Sequence, residues 1–239
     1  SWLSREGVAA VVTFVPIGLL GLAWLADQTS TLRVVILADL AIIGAAITVW
    51  CTGMIYASLT TVPAWSRPLV PWAYMVLSAA TGGVLYVLLA CAFGGDFRFV
   101  GVGTVIAIGA AWLVKTYYWS DVDARPARWS AEDATGLGRF GTVRPLEPPH
   151  TQPNFVMREM GYKVARKHAD HLRSVVILAL AVVPALCLLV ILMTGPGGLA
   201  LLLALIATVS AAVGVFTERW LFFAEAKHVV NVYYEGGAV

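Results

Sequence analysis

Residues 119–173 read WSDVDARPARWSAEDATGLGRFGTVRPLEPPHTQPNFVMREMGYKVARKHADHLR, and nearly everything on either side of them is apolar. The chain has 239 residues, of which 59% are hydrophobic and 13% charged; soluble domains run at roughly 45–50% apolar and about 25% charged. Crossing about 30 Å of hydrocarbon takes roughly 20 apolar residues. Working outward from the polar stretch, four such runs precede it, at 7–25, 34–58, 72–93 and 100–118. Two follow it, at 175–194 and 199–216, and TERWLFFAEAKHVVNVYY is expected to continue the last as a helix leaving the bilayer. The expected fold is all-α, a polytopic bundle of six spans: four in residues 1–118, a polar loop at 119–173, and two spans plus a tail in 174–239. The chain opens on Ser1 with neither an initiator methionine nor a signal peptide, and sequence upstream of it is expected.

Six crossings put the N-terminal entry, the proline-rich TTVPAWSRP connection, the polar loop and the tail on one side. Of the 16 Lys and Arg, all but Arg33 and Arg98 lie on or near that side. Because Lys and Arg bias sets orientation, this face is expected in the cytoplasm of a bacterial inner membrane. Trp2, Trp65, Trp72, Tyr117, Trp119 and Trp220 suit an interfacial belt there.

The candidate chemistry is sparse. His150, His168, His171 and His228 all fall in the loop or tail, so no pair of helix histidines is placed to hold a haem. His168 and His171 sit one helical turn apart on a basic stretch, which reads as a solvated face before it reads as a metal pair. Cys51, Cys91 and Cys187 lie inside apolar runs at no metal-ligand spacing and read as buried thiols. GLGRFG at 136–141 matches G-x-G-x-x-G in letters only, since the fingerprint needs a strand before it and a helix after it. Pro145, Pro148, Pro149 and Pro153 make the next segment extended, laid over a partner or the headgroups.

Ionisable residues in spans are functional candidates by default. Asp39 lies about one turn inside the second span. Arg5 with Glu6 opens the first helix, Ser4 serving as its N-cap, and Glu218 with Arg219 ends the last at the same depth. These two pairs read either as capping and snorkelling groups or as a carboxylate and guanidinium lining a pocket, where a carboxylate relays protons. A transporter with a midplane site would need internal repeats and broken helices; no repeat is visible.

Three stretches occur in a telling order: SWLSREGVAA at 1–10, MIYASLTTVPAW at 54–65 and ERWLFFAEAKHVVNVYY at 218–234. Together they resemble the membrane anchor subunits of the DMSO reductase family. In those anchors a helix begins with Ser-x-Leu-Ser-x-Glu, whose glutamate, implicated in quinol binding, matches Glu6. Tyr56, Ser58, Thr61, Val62, Pro63 and Trp65 fit the later Tyr-x-Ser-x-x-Thr-Val-Pro-x-Trp pattern. The family anchors have eight helices, so the resemblance implies that the six here are the last six; the histidine-bearing segment that precedes Ser-x-Leu-Ser is absent.

The long loop and the WLSREG and ERWLFFAEA wording are more similar to anchors of membrane-bound sulfite dehydrogenases. The resemblance then implies a quinone-binding anchor in a complex with an iron–sulfur subunit that holds [4Fe-4S] clusters and a molybdopterin catalytic subunit. Electrons from sulfite would pass through those subunits to a ubiquinone or menaquinone. It implies a site near Arg5, Glu6, Tyr56, Trp65, Glu218 and Arg219, with Glu6 relaying protons and no metal held by this chain. The same scaffold run backwards, oxidising quinol to reduce an S-oxide, is the alternative. Membrane lipids and the partner subunits, and no nucleic acid, are the expected partners.

Overall fold

The structure, a computed structural model, describes residues 1–26, 32–125, 130–144, 146–147 and 163–232. His150 and the proline segment from Pro148 to Pro153 lie outside the described residues. Those described form helices and connections, with no strand among them. Six helices are long and apolar enough to cross a membrane: α1 (Trp2–Leu25), α2 (Leu32–Ala57), α3 (Leu69–Phe93), α4 (Arg98–Ala124), α7 (Ala169–Thr194) and α8 (Gly198–Ala224). Two short helices, α5 (Ala131–Thr135) and α6 (Lys163–Lys167), lie in the polar loop. At 24 to 27 residues each, a rise of about 1.5 Å per residue makes the spans about 36–40 Å long.

The bundle has an inner and an outer part. α3, α4, α7 and α8 share one core, in which Val84, Val87, Leu188, Ile191, Ala204 and Leu221 are closed off from solvent. α1 packs chiefly on α2, and most of its side chains face outward. The connection 58–68 is folded into the core, with Val62 and Trp65 both buried. Small residues let the helices approach. Ala200, Ala204, Ala207, Ala211 and Gly214 make one buried face of α8, the pattern by which membrane helices pack.

α7 contains a π-helical turn, Ile177–Val182, just before Pro184. Proline has no N–H and its ring clashes with the carbonyl one turn back. The wider turn removes the clash, and Val183 N–H bonds the Leu178 carbonyl five residues back. In that register Pro184 would have served Ala179; instead the Ser210 hydroxyl of α8 donates to the Ala179 carbonyl at 2.8 Å. Opposite the bulge, a Cβ at Gly214 would stand 2.7 Å from the Leu180 backbone nitrogen.

Four details differ from the sequence expectation. The last helix stops at Ala224 and does not run on to Tyr234. Its final carbonyls are taken by side chains: Trp65 Nε1 donates to Phe222 O at 2.9 Å, and Arg166 Nε to Ala224 O at 2.9 Å. Once those orphan acceptors are satisfied, the chain turns, and Val229 N–H reaches Thr61 O at 2.9 Å. At the other end Ser1, not Ser4, caps α1. α4 runs six residues further than the span read from sequence, to Ala124, because Tyr118 and Trp119 are buried in the bundle. Trp65 and Trp119 therefore face protein, while Trp72, Tyr117 and Trp220 are exposed as a belt requires.

Candidate functional site

The polar centre of the bundle lies where α8 passes α3 and α4. Glu218 is 0% exposed and Lys115, on α4, is 4% exposed. Lys115 Nζ stands 2.6 Å from Glu218 Oε1. Arg219 grips the same carboxylate with both arms, Nη2 to Oε1 at 2.7 Å and Nε to Oε2 at 2.5 Å. Burying an unpaired carboxylate is prohibitive, and charge-assisted hydrogen bonds in excellent geometry are what make it tolerable. Aromatic faces hold the two cations. Lys115 Nζ is 4.2 Å from the Tyr118 ring centroid, and the Arg219 guanidinium is 4.3 Å from that of Tyr74.

Arg219 also borders an open cleft of about 230 Å³ between α2, α3 and α8. Val49, Leu77 and Val215 make its apolar walls; Thr52, Tyr74 and Arg219 bring polar groups, with Ser78 and Thr81 beside them. The Ser78 and Thr81 hydroxyls are spent on carbonyls of their own helix, Met75 and Leu77. Arg219 Nη1, by contrast, is buried and has no hydrogen-bond partner. A buried, unpartnered donor on a guanidinium is costly.

On the α2 wall, the Thr52 hydroxyl donates to Glu6 Oε1 at 2.6 Å and also faces Thr48 O at 3.0 Å. A hydroxyl has one proton to give. When Glu6 itself carries a proton, Thr52 can turn its own to Thr48. Glu6 is thereby connected to the cleft through Thr52 and is half-buried on α1.

The other residues singled out from sequence fall around this centre. Tyr56 and Trp65 belong to an aromatic cluster with Tyr74, Phe222 and Phe223; Tyr56 stacks on Tyr74 at 5.8 Å and Trp65 on Phe222 at 5.6 Å. That cluster supports the Tyr74 side of the cleft. Arg5 is exposed and lies over Trp2 at 4.5 Å, away from the cleft lining. Asp39 is exposed on α2. GLGRFG forms a turn and a single 3-10 segment after a five-residue helix, with no strand before it. Among the described residues no group of three or more His, Cys, Asp and Glu is arranged to hold a metal ion.

A second charge cluster seals the loop-bearing end. Arg173 of α7 binds Glu225 Oε1 at 2.9 Å and both oxygens of Asp123, at the end of α4. Three helix ends are thus tied by one guanidinium. Burial pushes the Glu225 carboxyl above its ordinary value, and Arg173 pulls it the other way. Sequence reading missed Lys115. A lysine one turn from the end of an apolar run was the signal, and only the fold shows that Glu218 is its partner.

Fold and site together define a polytopic helical membrane protein with a three-membered charge cluster, built on the buried Glu218, beside an open cleft. The chain is similar to a sulfite dehydrogenase subunit of Allochromatium vinosum, 25% identical over 249 aligned positions that take in 100% of this chain and 75% of that protein. No family model matches the chain, and no solved structure matches it.

Proposed function

We propose that this chain is the quinone-binding membrane subunit of an oxidoreductase complex that passes electrons from sulfite oxidation to the quinone pool. The observation that carries the reading is the unpartnered Nη1 of Arg219 on a residue bordering an apolar cleft. A quinone needs donors for its carbonyl oxygens and a flat apolar space for its ring and tail; the residues present fit both needs. Its two-electron reduction takes up two protons. Similarity to a sulfite dehydrogenase subunit supports sulfite as the electron source, as does the resemblance to DMSO reductase-type anchors for the wider complex.

In this reading Arg219 holds a carbonyl oxygen, and Val49, Leu77 and Val215 exclude water from the ring. Glu6 passes protons through Thr52 to the bound ligand, a general-acid role that suits a carboxylate within one hydroxyl of the site. Tyr56 and Trp65 fix the aromatic wall behind Tyr74, Glu218 partly offsets the charge of Arg219, and Arg5 sets the start of α1 at the interface on Trp2. An iron–sulfur subunit docks on the loop-bearing cytoplasmic face, built from residues 119–173 and the tail, and relays electrons from a molybdopterin subunit.

The test is sulfite-driven quinone reduction by the intact membrane complex, wild type against Glu6→Gln. Turnover should fall by about 10²-fold while the clusters still become reduced by sulfite. Unchanged turnover would remove Glu6 from the proton path. No response to sulfite in either protein would overturn the substrate assignment and favour an S-oxide reductase run in the opposite direction.

A further inference from the structure

Lys115 takes no part in the cleft lining, yet it is a charged side chain almost fully buried in the bundle. Glu218 and Arg219 already neutralise one another with two hydrogen bonds. Adding Lys115 makes a cluster of two cations and one anion, with Lys115 and Glu218 buried and Arg219 partly exposed beside the cleft. For stability alone an apolar side chain of similar volume would serve as well or better, since desolvating an ion offsets what its pairing returns. Nor is the lysine there to reach water. It lines only a space of about 10 Å³ between α4 and α7 among the described cavities, room for about one water molecule.

The geometry shows what the third charge does. Glu218 Oε1 is shared between Lys115 Nζ at 2.6 Å and Arg219 Nη2 at 2.7 Å. With Lys115 in place, the carboxylate's charge is divided between two cations, and the cluster keeps one net positive charge at the edge of the cleft. Without it, Glu218 would cancel Arg219 completely, and the side chain bordering the cleft would belong to a neutral pair.

We propose that Lys115 is a positioning residue that keeps the Glu218–Arg219 pair net positive, so that the Arg219 side chain bordering the cleft attracts the electron-rich oxygen of an aromatic dicarbonyl ligand there. The inference rests on reading that cleft as the quinone site. Lys115 touches no ligand; it acts through Glu218.

Charge-restoring variants separate this role from a structural one. Binding of 2-heptyl-4-hydroxyquinoline N-oxide, an oxygen-bearing ring probe whose fluorescence is quenched when it binds, is titrated on the intact detergent-solubilised complex. Lys115→Met lowers the cluster's net charge to zero and should weaken binding by about tenfold, the scale of one unit charge acting at short range in a partly shielded site. Lys115→Arg keeps the charge and should remain near wild type. Lys115→Met with Glu218→Gln restores one net positive charge without the ion pair, and should recover binding.

A structural role predicts the reverse for the double variant, because it destroys the buried pair. Loss of binding in it overturns the proposal, as does unchanged binding in Lys115→Met. If Lys115→Met fails to assemble, the double variant still decides between the two. Failure of the underlying reading looks different: wild type does not bind the probe, or Arg219→Gln binds it as wild type does.

Discussion

Arg219 and Glu225 are close in sequence and see opposite conditions. Arg219 is held by a buried carboxylate inside the bundle, whereas Glu225 lies just past the end of α8, half-enclosed, against Arg173. Burial raises the Glu225 carboxyl above its ordinary value. The folded state then binds this proton more tightly than the unfolded chain does. Stability therefore falls as pH rises from the ordinary carboxylate value through the raised one, and levels off above it. The melting temperature of the detergent-solubilised protein should decline over that window, and Glu225→Gln should flatten the decline. A melting temperature that climbs through the same window would show that Arg173 outweighs burial. At this scale the sequence singled out Glu6, Glu218 and Arg219 as candidates through their positions at span ends. It hid Lys115, because a lone lysine near the end of an apolar run also suits snorkelling, and its partner, Glu218, lies four helices further along the chain.

At the scale of elements, α7 and α8 meet at a defect that is fully compensated. Pro184 widens the helix, Ser210 satisfies the carbonyl released, and Gly214 makes room for the bulge. Ser210→Ala should cost about 1 kcal/mol or more by leaving the part-buried Ala179 carbonyl without its donor. Gly214→Ala should cost about 1–3 kcal/mol by driving a methyl group into backbone that cannot move aside like a flexible side chain. Thermal denaturation in detergent measures both; a Gly214→Ala protein as stable as wild type would mean that the two helices do not touch there. The six spans were legible because apolar runs long enough to cross a bilayer have few other uses. Where the last helix ends was not. ERWLFFAEAKHVVNVYY is helix-compatible throughout, and α8 stops at Ala224 because Trp65 and Arg166, both distant in sequence, take its terminal carbonyls.

The whole molecule is asymmetric from end to end. The loop-bearing end holds the Arg173–Asp123–Glu225 clamp, the Lys115–Glu218–Arg219 cluster and the polar loop. The opposite end carries short connections such as the turn at Gly94, whose left-handed φ of 73° closes α3. Core packing likewise concentrates in α3, α4, α7 and α8, while α1 contributes Glu6 to the site through a single hydroxyl on α2. A ligand in the cleft would thus sit near the crowded polar end, beneath the face proposed to receive the iron–sulfur subunit. Photolabelling the intact complex with an azidoquinone, competed by unlabelled quinone and mapped by mass spectrometry, tests that placement most directly. Competable label is expected on the α2, α3 and α8 segments around Thr52, Tyr74 and Arg219. Competable label confined to another subunit, or to α4 and α7 alone, would contradict it.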